Sequence, residues 1–511
     1  MTEYEYIVVG AGTAGCVLAA RLSQDAGVRV LVLEAGSPHL TRSMAVPRVW
    51  PENLGSAADW ADVTAGQADA GSVAYPRGRG LGGSSAINAM AHVRGHRAVY
   101  DGWAAAGAAG GGFADLLPYF RRSERADGHD QALRGTSGPV RVAPVPVGDR
   151  HPVAEAFVAA LREAGHRATA DLSGAVQEGV CWIDLAIAGG QRVSSADAYL
   201  RPVADRPNLT VITECLVTGV RVEGGRCTGV DYLRGGAAVQ ARAAGEVIVC
   251  AGAVGSPQLL LLSGIGPAPA LRALGIGPVA DVAGVGQNLQ DHPVVLTSYA
   301  SGVPLPGSRY NNGEACAALR STLAGGYPDL HVFPILLPLA PAGCQPPATG
   351  FALVSSVVAP DSRGQVRLAS ADPQVPPVID PGFLREGRDV DRLEEGLELV
   401  RDAAARAEFS PVEPAEVWPG ADVRTRPQLR GYIRRRVGSY YHPAGSCRMG
   451  TGPDTVVDAQ LRVHGVAGLR VADASVLPTI PNAHPNATVL AIAERAADLI
   501  SSRGGLPVAG W

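Results

Sequence analysis

The first hydrophobic segments of the chain are short, and a glycine-rich turn separates them. Residues 4–9 are β-branched and aromatic, which is typical of a buried strand, and an apolar helical pattern continues through Leu22. Residues 29–33 form a second apolar run. The order strand, helix, strand predicts a βαβ unit at the start of the chain, with its two strands parallel.

Two later stretches lack charged side chains for long enough to suggest membrane spans. Residues 247–271 carry no ionisable charge, and no charged residue follows His331 until Asp361. Pro257 and several glycines interrupt the first stretch, and prolines interrupt the second, so neither can keep a continuous helical hydrogen-bond ladder in lipid. We predict a buried strand, turn and helix for the first stretch and core strands for the second.

Composition excludes several kinds of chemistry. All 44 basic side chains among the 511 residues are arginine, because the chain contains no lysine. Pyridoxal-phosphate enzymes, class I aldolases and P-loop nucleotide hydrolases all need a lysine. The formal net charge of -4 gives no support to nucleic-acid binding.

Cysteine spacing and the N-terminus add two further expectations. The eight cysteines are scattered without a C-x-x-C pair, and no H-E-x-x-H motif occurs, so we expect neither a metal site nor disulfides. Residues 1–5 are acidic where a secretory signal would be basic, and they run directly into the first strand. These features predict a cytoplasmic location without a transmembrane segment.

The turn after the first strand has the form G-x-G-x-x-G, which is typical of dinucleotide binding. Gly10 permits a sharp turn, Gly12 lets backbone amides approach a pyrophosphate, and Gly15 lets the helix and the strand pack closely. The helix N-terminus adds partial positive charge for the phosphates. Glu34 ends the second strand, 19 residues past Gly15, where an acid accepts hydrogen bonds from ribose hydroxyls. The motif does not distinguish NAD from FAD.

Further motifs carry a resemblance to a known family. A second glycine-serine loop spans residues 79–88, and residues 252–266 and 284–293 contain further glycine-rich motifs. With these segments and residues 441–500, the chain resembles the glucose-methanol-choline (GMC) family of FAD-dependent oxidoreductases, in order and over nearly its whole length. The resemblance implies bound FAD and the oxidation of an alcohol to an aldehyde or ketone by hydride transfer to flavin N5.

The resemblance also implies an α/β (mixed α+β) fold with two interleaved domains. A Rossmann-like FAD-binding domain would comprise residues 1–135, 190–300 and 440–511. The substrate domain would comprise residues 136–189 and 301–439 and would contain a largely antiparallel sheet. Its strands are predicted, from alternating hydrophobic patterns, at these positions: 329–337, 351–358 and 365–369.

Two histidines near the C-terminus are the candidate catalytic residues. His442 and His484 each precede a proline, which favours extended backbone, and a neutral imidazole can accept a hydroxyl proton near pH 7. By resemblance His442 is the general base. His484, six positions after Pro478, is the second member of a His/His pair that orients the substrate oxygen, with Asn486 as the alternative. His92, His96 and His292 are assigned to packing or loop structure.

The resemblance also implies which residues bind the cofactor. FAD should be non-covalent, because Ile87 occupies the position where some relatives attach it through a histidine. Together with the motif residues, the predicted FAD-binding set is Gly10, Gly12, Thr13, Ala14, Gly15, Glu34, Gly82, Gly83, Ser84, Asn88, Met90, Ala91, Val217, Asp473, Ala474 and Asn486.

The electron acceptor and the reaction class stay open in the sequence. Dioxygen, a quinone or another carrier could reoxidise the flavin, although the bulky Tyr440 near the base favours a dehydrogenase slightly over an oxidase. A hydroxynitrile lyase, which resembles the family in fold and FAD binding, is the alternative function. The apolar segment 329–358 suits an uncharged or aromatic alcohol better than a cationic one.

Overall fold

Within residues 3–501, the part of the chain that the computed structural model describes, two seven-stranded β-sheets form the framework. In this part the α-helices are α1 (Thr13–Leu22), α2 (Arg42–Ala45), α3 (Arg97–Ala105), α4 (Phe113–Ser123), α5 (Pro152–Glu163), α6 (Gly252–Leu262), α7 (Ala268–Ala273), α8 (Gly387–Ala404), α9 (Arg426–Arg436) and α10 (Asn486–Ser501). The strands are β1 (Glu3–Val9), β2 (Val30–Leu33), β3 (Asp62–Val63), β4 (Ala74–Tyr75), β5 (Glu124–Arg125), β6 (Val140–Arg141), β7 (Gly179–Trp182), β8 (Ile187–Ala188), β9 (Gln191–Arg192), β10 (Leu209–Ile212), β11 (Cys215–Glu223), β12 (Arg226–Arg234), β13 (Ala237–Val249), β14 (Ile265–Gly266), β15 (Ala280–Asp281), β16 (Gln287–Leu289), β17 (Pro293–Ser301), β18 (Ala315–Leu319), β19 (Leu330–Ile335), β20 (Gly350–Val357), β21 (Gly364–Arg367), β22 (Val378–Asp380), β23 (Pro414–Trp418), β24 (Gly438–Ser439) and β25 (Leu469–Val471).

The first sheet, called the mixed sheet below, begins with the predicted βαβ unit. Its strand order is β10-β2-β1-β13-β12-β11, with β25 beside β13. The strands β10, β2, β1, β13 and β25 pair in parallel, whereas β11 and β12 extend the sheet as antiparallel strands. Strand β2 is buried throughout, as expected for a parallel strand covered on both faces. The predicted strand, helix, strand order is therefore confirmed.

The second sheet is antiparallel and is covered on one face by α5 and α8. Its order is β23-β17-β20-β19-β18-β7, with β24 at the β17 edge. Phe351 on β20 stacks on Tyr299 and Phe409 in a buried apolar cluster that includes residues of α5 and α8. Because side chains alternate along a strand, Val354 of β20 faces the opposite way, towards the cavity described below.

The predicted mixed α/β class and the largely antiparallel second sheet are confirmed. Residues 247–271 form the end of β13, a turn, α6 and α7, and the second uncharged stretch supplies β19 and β20. None of the helices in residues 3–501 combines the length and the apolar character that a membrane crossing requires.

One predicted strand belongs elsewhere. The segment 365–369 overlaps β21, which pairs with β16 and β22 in a separate three-stranded sheet rather than with the antiparallel sheet. The alternating pattern indicated a strand correctly, but such a pattern does not identify the partner strand. The predicted FAD domain also includes residues 1–2 and 502–511, which lie outside the described residues.

Candidate active site

A cavity of about 1000 Å³ lies between the mixed sheet and the antiparallel sheet. Its lining includes the glycine turn after β1, as well as His442 and His484. Phe333 and Val354 contribute apolar surface from the antiparallel sheet. The volume is at the upper end of the range for ligand sites, which suits a large cofactor together with a small substrate.

The glycine turn presents backbone amides at the start of α1. Gly10 has a φ of +96°, and a Cβ there would lie 2.6 Å from the carbonyl oxygen of Cys250. Gly12 is the N-cap of α1, where no side chain caps the helix and the first turn contains no acidic residue. The positive end of the helix dipole therefore faces the cavity with no acidic residue in the first turn of the helix itself, which suits a diphosphate.

Two of the predicted cofactor glycines shape the backbone instead of lining the cavity. A Cβ on Gly15 would lie 1.8 Å from the carbonyl oxygen of Gly10, so only glycine allows α1 to pack against this turn. Gly82 has a φ of +92° and donates its N–H to the Ala11 carbonyl at 2.8 Å. All the other predicted cofactor residues line the cavity: Gly10, Gly12, Thr13, Ala14, Glu34, Gly83, Ser84, Asn88, Met90, Ala91, Val217, Asp473, Ala474 and Asn486.

The two predicted cofactor-binding carboxylates brace the backbone around the cavity. Glu34 accepts three backbone amide hydrogens, at 2.8, 2.8 and 3.0 Å, from the loops after β1, β2 and β4. Asp473 accepts the amides of Gly252 and Ser475, each at 2.8 Å, and the hydroxyl of Ser256 at 2.5 Å. Burial raises the pKa of both carboxylates. Their contacts with ribose or ribityl hydroxyls stay predictions.

The two candidate catalytic histidines lie side by side. Their ring centroids are 5.2 Å apart and the ring planes are inclined at 73°. His442 follows β24 and His484 comes just before α10, so two segments distant in sequence bring them together. Both residues line the cavity.

A short antiparallel contact with the start of β17 positions His442. The amide of Tyr440 donates to the His292 carbonyl at 2.9 Å. The Asp291 carboxylate accepts the amides of His292 at 2.7 Å and His442 at 2.9 Å, together with the Ser439 hydroxyl. Burial raises the pKa of Asp291 to about 6. These bonds hold the backbone of His442 and His292 in one unit.

His292 lies in this site, although the sequence assigned it to packing. Its Nδ1 is 2.9 Å from Nδ1 of His442, and the rings are nearly perpendicular at 88°. His292 is fully buried, whereas His442 is 8% exposed, so the edge of His442 that carries Nε2 faces the cavity. His92 and His96 instead make structural contacts, because His92 bonds Glu124 and His96 caps α3.

Tyr440 contacts the second histidine. Its hydroxyl is 3.0 Å from Nε2 of His484, and its ring stacks on Phe333 with centroids 4.8 Å apart. Burial raises the pKa of Tyr440 well above its usual value, so the hydroxyl keeps its hydrogen. The ring of His331, on β19, lies 6.0 Å from that of His484. No motif marks His331; its only signal was its place on a predicted core strand.

Burial keeps this group of imidazoles neutral. It lowers the pKa of His442 and of His331 well below the usual value, that of His484 to about 4 and that of His292 to about 3. The neighbouring imidazoles oppose protonation further at three of the four, since each added charge would repel the others. Near pH 7 the histidines can therefore accept a proton.

Comparison with known families agrees with this arrangement. A family model described as GMC oxidoreductase matches residues 4–294, and its C-terminal counterpart matches residues 360–493. The chain belongs to the GMC oxidoreductase family. The resemblance inferred from the motifs is thereby confirmed, and the chain is an oxidoreductase that acts on CH–OH donors.

Two curated relatives of this GMC oxidoreductase are named choline dehydrogenases. The mitochondrial choline dehydrogenase of Mus musculus is 37% identical over 540 residues, covering 99% of this chain and 90% of the relative. The oxygen-dependent choline dehydrogenase of Brucella anthropi is 38% identical over 534 residues, covering 98% of this chain and 96% of the relative.

Solved GMC-like structures share the fold. Pyridoxine 4-oxidase from Mesorbium loti superimposes with a TM-score of 0.93 at 35% identity, covering 97% of this chain and 98% of the oxidase. A formate oxidase from Aspergillus oryzae, studied for FAD modification, gives a TM-score of 0.92 at 26% identity and covers 99% of each chain.

GMC oxidoreductases bind FAD, and this cavity fits that group. The helix N-terminus at Gly12 suits the diphosphate, and the apolar walls beside His442 suit a flavin ring.

Proposed function

We propose that this chain oxidises an alcohol to an aldehyde or ketone with non-covalent FAD and with His442 as general base. The observation that carries the proposal is the neutral His442 imidazole, bonded to His292 through Nδ1 and open to the cavity at the other edge. When bound, FAD supplies the hydride acceptor. Nε2 of His442 takes the hydroxyl proton of the substrate as the C–H bond breaks.

The hydrogen-bond partner of His442 determines which nitrogen is the base. Nε2 of His292 is buried and has no hydrogen-bond partner within hydrogen-bonding distance among the described residues, and we place the His292 hydrogen there because the carbonyls of Val358 and Pro481 favour a hydrogen on this ring. Nδ1 of His292 is then an acceptor and Nδ1 of His442 is the donor in their 2.9 Å contact. The lone pair of His442 is left on Nε2, which faces the cavity.

His484 has the complementary role of a hydrogen-bond donor. The Tyr440 hydroxyl keeps its hydrogen, and we propose that it donates this hydrogen to Nε2 of His484, which places the His484 hydrogen on Nδ1. This nitrogen is buried and makes no hydrogen bond among the described residues. We propose that the His484 imidazole, which lines the cavity, orients the substrate oxygen and stabilises its developing negative charge.

Replacement of His442 tests the base. In the His442→Ala holoenzyme we expect anaerobic flavin bleaching by benzyl alcohol to slow by about 100-fold or more, with FAD still bound. The His39→Ala variant, at an exposed histidine outside the cavity lining, should bleach at the wild-type rate. Unchanged bleaching in His442→Ala would refute the assignment, and cyanide release from mandelonitrile without bleaching by any alcohol would favour the lyase.

The cofactor linkage, the acceptor and the domain roles are parts of the same proposal. Ile87 offers no nucleophilic atom for attachment, so acid precipitation should release FAD, and flavin in the pellet would contradict this. Tyr440 fills space beside the histidines, which supports a dehydrogenase; rapid reoxidation of the reduced flavin in air would count against it.

We assign FAD binding to the mixed sheet and substrate binding to the antiparallel sheet, and a cytoplasmic location stays a prediction.

A further inference from the structure

The cavity wall that the antiparallel sheet contributes beside the histidines is apolar. It is formed by Val294 and Leu296 of β17, Phe333 and Ile335 of β19, and Val354 of β20. Val294 lies two residues after His292 on the chain. Phe333 stacks against Tyr440, whose hydroxyl contacts His484. The substrate body therefore meets hydrocarbon and aromatic surface.

The carboxylates of the cavity are already engaged. Among the described residues, those that line it are Glu34, Asp62 and Asp473. Glu34 and Asp473 brace backbone amides as described above, and Asp62 pairs with the Arg77 guanidinium, whose Nε lies 2.7 Å away. None of the three is left to pair with a positively charged substrate.

Arginines also occupy one of the two tryptophan rings that line the cavity. The guanidinium carbons of Arg77 and Arg79 lie 5.4 and 5.1 Å from the centre of the Trp60 ring, within cation–π range. Arg435 and Arg436 add further positive charge to the lining. These arginines would repel a positively charged substrate that entered the cavity.

We infer that the site takes an uncharged alcohol with an apolar body and discriminates against quaternary ammonium alcohols such as choline. A cation moved from water into this cavity would lose its hydration without gaining a carboxylate partner, which is costly, whereas a neutral alkyl or aryl group gains from burial. This inference rests on the proposed function, because it names the substrate class of the same site.

A pair of alcohols with the same shape and different charge tests the inference. Choline and 3,3-dimethylbutan-1-ol differ in a quaternary nitrogen against a quaternary carbon, and benzyl alcohol adds an aromatic neutral probe. Anaerobic bleaching of the FAD-bound enzyme would be followed for each alcohol at equal concentrations. We expect the bleaching rate divided by the alcohol concentration to be at least about tenfold higher for the faster of the two neutral alcohols than for choline. This ratio corresponds to 1.4 kcal/mol.

A negative charge introduced on the cavity wall should increase activity towards choline, and an uncharged variant of similar size is the matched control. Val294→Glu places a carboxylate on the wall beside His292 and should raise the choline rate relative to the neutral isostere. Val294→Gln, with similar size and no charge, should leave the ratio near the wild-type value.

The outcomes separate the two proposals. A choline rate within about tenfold of the rate with the better neutral alcohol would overturn the inference and leave the proposed function in place. Bleaching by none of the three alcohols would refute the proposed function, and the inference with it.

Discussion

Replacing His292 with leucine removes the acceptor that we propose for Nδ1 of His442. Leucine fills a similar volume in this fully buried position but offers no lone pair. His442 then loses the contact that favours hydrogen on Nδ1, and the tautomer with hydrogen on Nε2 becomes populated. In that tautomer the cavity-facing nitrogen cannot accept the substrate proton.

The size of the effect follows from one buried hydrogen bond. Leaving a buried polar group unpaired costs about 1–3 kcal/mol, which corresponds to a fivefold to 150-fold change in the tautomer ratio. The limiting rate of bleaching at saturating alcohol follows the fraction of the productive tautomer and should fall by up to that factor. The half-saturating concentration should change little, because His292 is 0% exposed and does not line the cavity.

The assay is anaerobic bleaching of the FAD-bound variant over a range of alcohol concentrations. His292→Gln is the conservative control, since its amide oxygen can accept from His442 in place of Nδ1 of His292. It should recover most of the limiting rate. A His292→Leu enzyme that binds FAD and keeps the wild-type limiting rate would refute the tautomer assignment, and a fall confined to substrate affinity would do the same.

Three further predictions concern the second histidine, the glycine turn and pH. Tyr440→Phe removes the 3.0 Å contact with His484 but keeps the aromatic stack, so the limiting bleaching rate should fall by about tenfold with FAD content unchanged; an unaltered rate would contradict the donor role. Gly15→Ala should lower both bound flavin and the melting temperature, because its Cβ would lie 1.8 Å from a backbone oxygen, whereas Gly102→Ala, in open space on α3, should preserve both. Burial lowers the pKa of His292 to about 3, so at this residue the unfolded chain binds more protons between pH 6.5 and 4, and His292 should lose roughly 1.4 kcal/mol of stability per pH unit as the pH falls. The carboxyl of Asp291, with its pKa raised to about 6, acts in the opposite direction in both wild type and His292→Gln, so the measurement is the difference between them: the denaturant midpoint of the wild type should fall relative to that of His292→Gln, and parallel profiles would argue against a neutral buried His292.

The sequence predicted the structural features that depend on residues close together in the chain. The first βαβ unit follows from hydrophobic periods of a few residues and from glycines whose role is local, as the contact between Gly15 and the Gly10 carbonyl shows. The motif positions of His442 and His484 are likewise readable within short segments, and the structure brings both into one cavity.

The sequence did not predict contacts that depend on long-range pairing. His292 and His442 are 150 residues apart, and they meet because β24 pairs with the start of β17 and because Asp291 accepts both of their amides. Tyr440 precedes the base by two residues, but its hydroxyl bonds the other histidine. Nothing in either segment alone specifies that register, because strand partners are chosen by tertiary packing.

Glu34 shows a different limit of prediction from sequence motifs. Its position after β2 is the one expected for a ribose-binding acid, and its carboxylate instead accepts three backbone amides from separate loops. Motif spacing locates the carboxylate but does not identify its donors, and the same acid can hold the glycine loops in place while a free lone pair remains for a hydroxyl.

The neutral base and the neutral substrate have one physical origin. His442 stays unprotonated because burial removes its solvation and the adjacent His292 and His484 imidazoles would repel a second charge. A positively charged substrate would meet the same loss of solvation, and it would also oppose the positive charge that His442 gains when it takes the proton. A carboxylate on the wall at Val294 would offset the repulsion between a positively charged substrate and protonated His442. It would also favour protonated His442 and so shift the acid limb of the pH profile of the bleaching rate to higher pH. The Val294→Glu variant should therefore accept choline better and lose activity at a higher pH than the wild type.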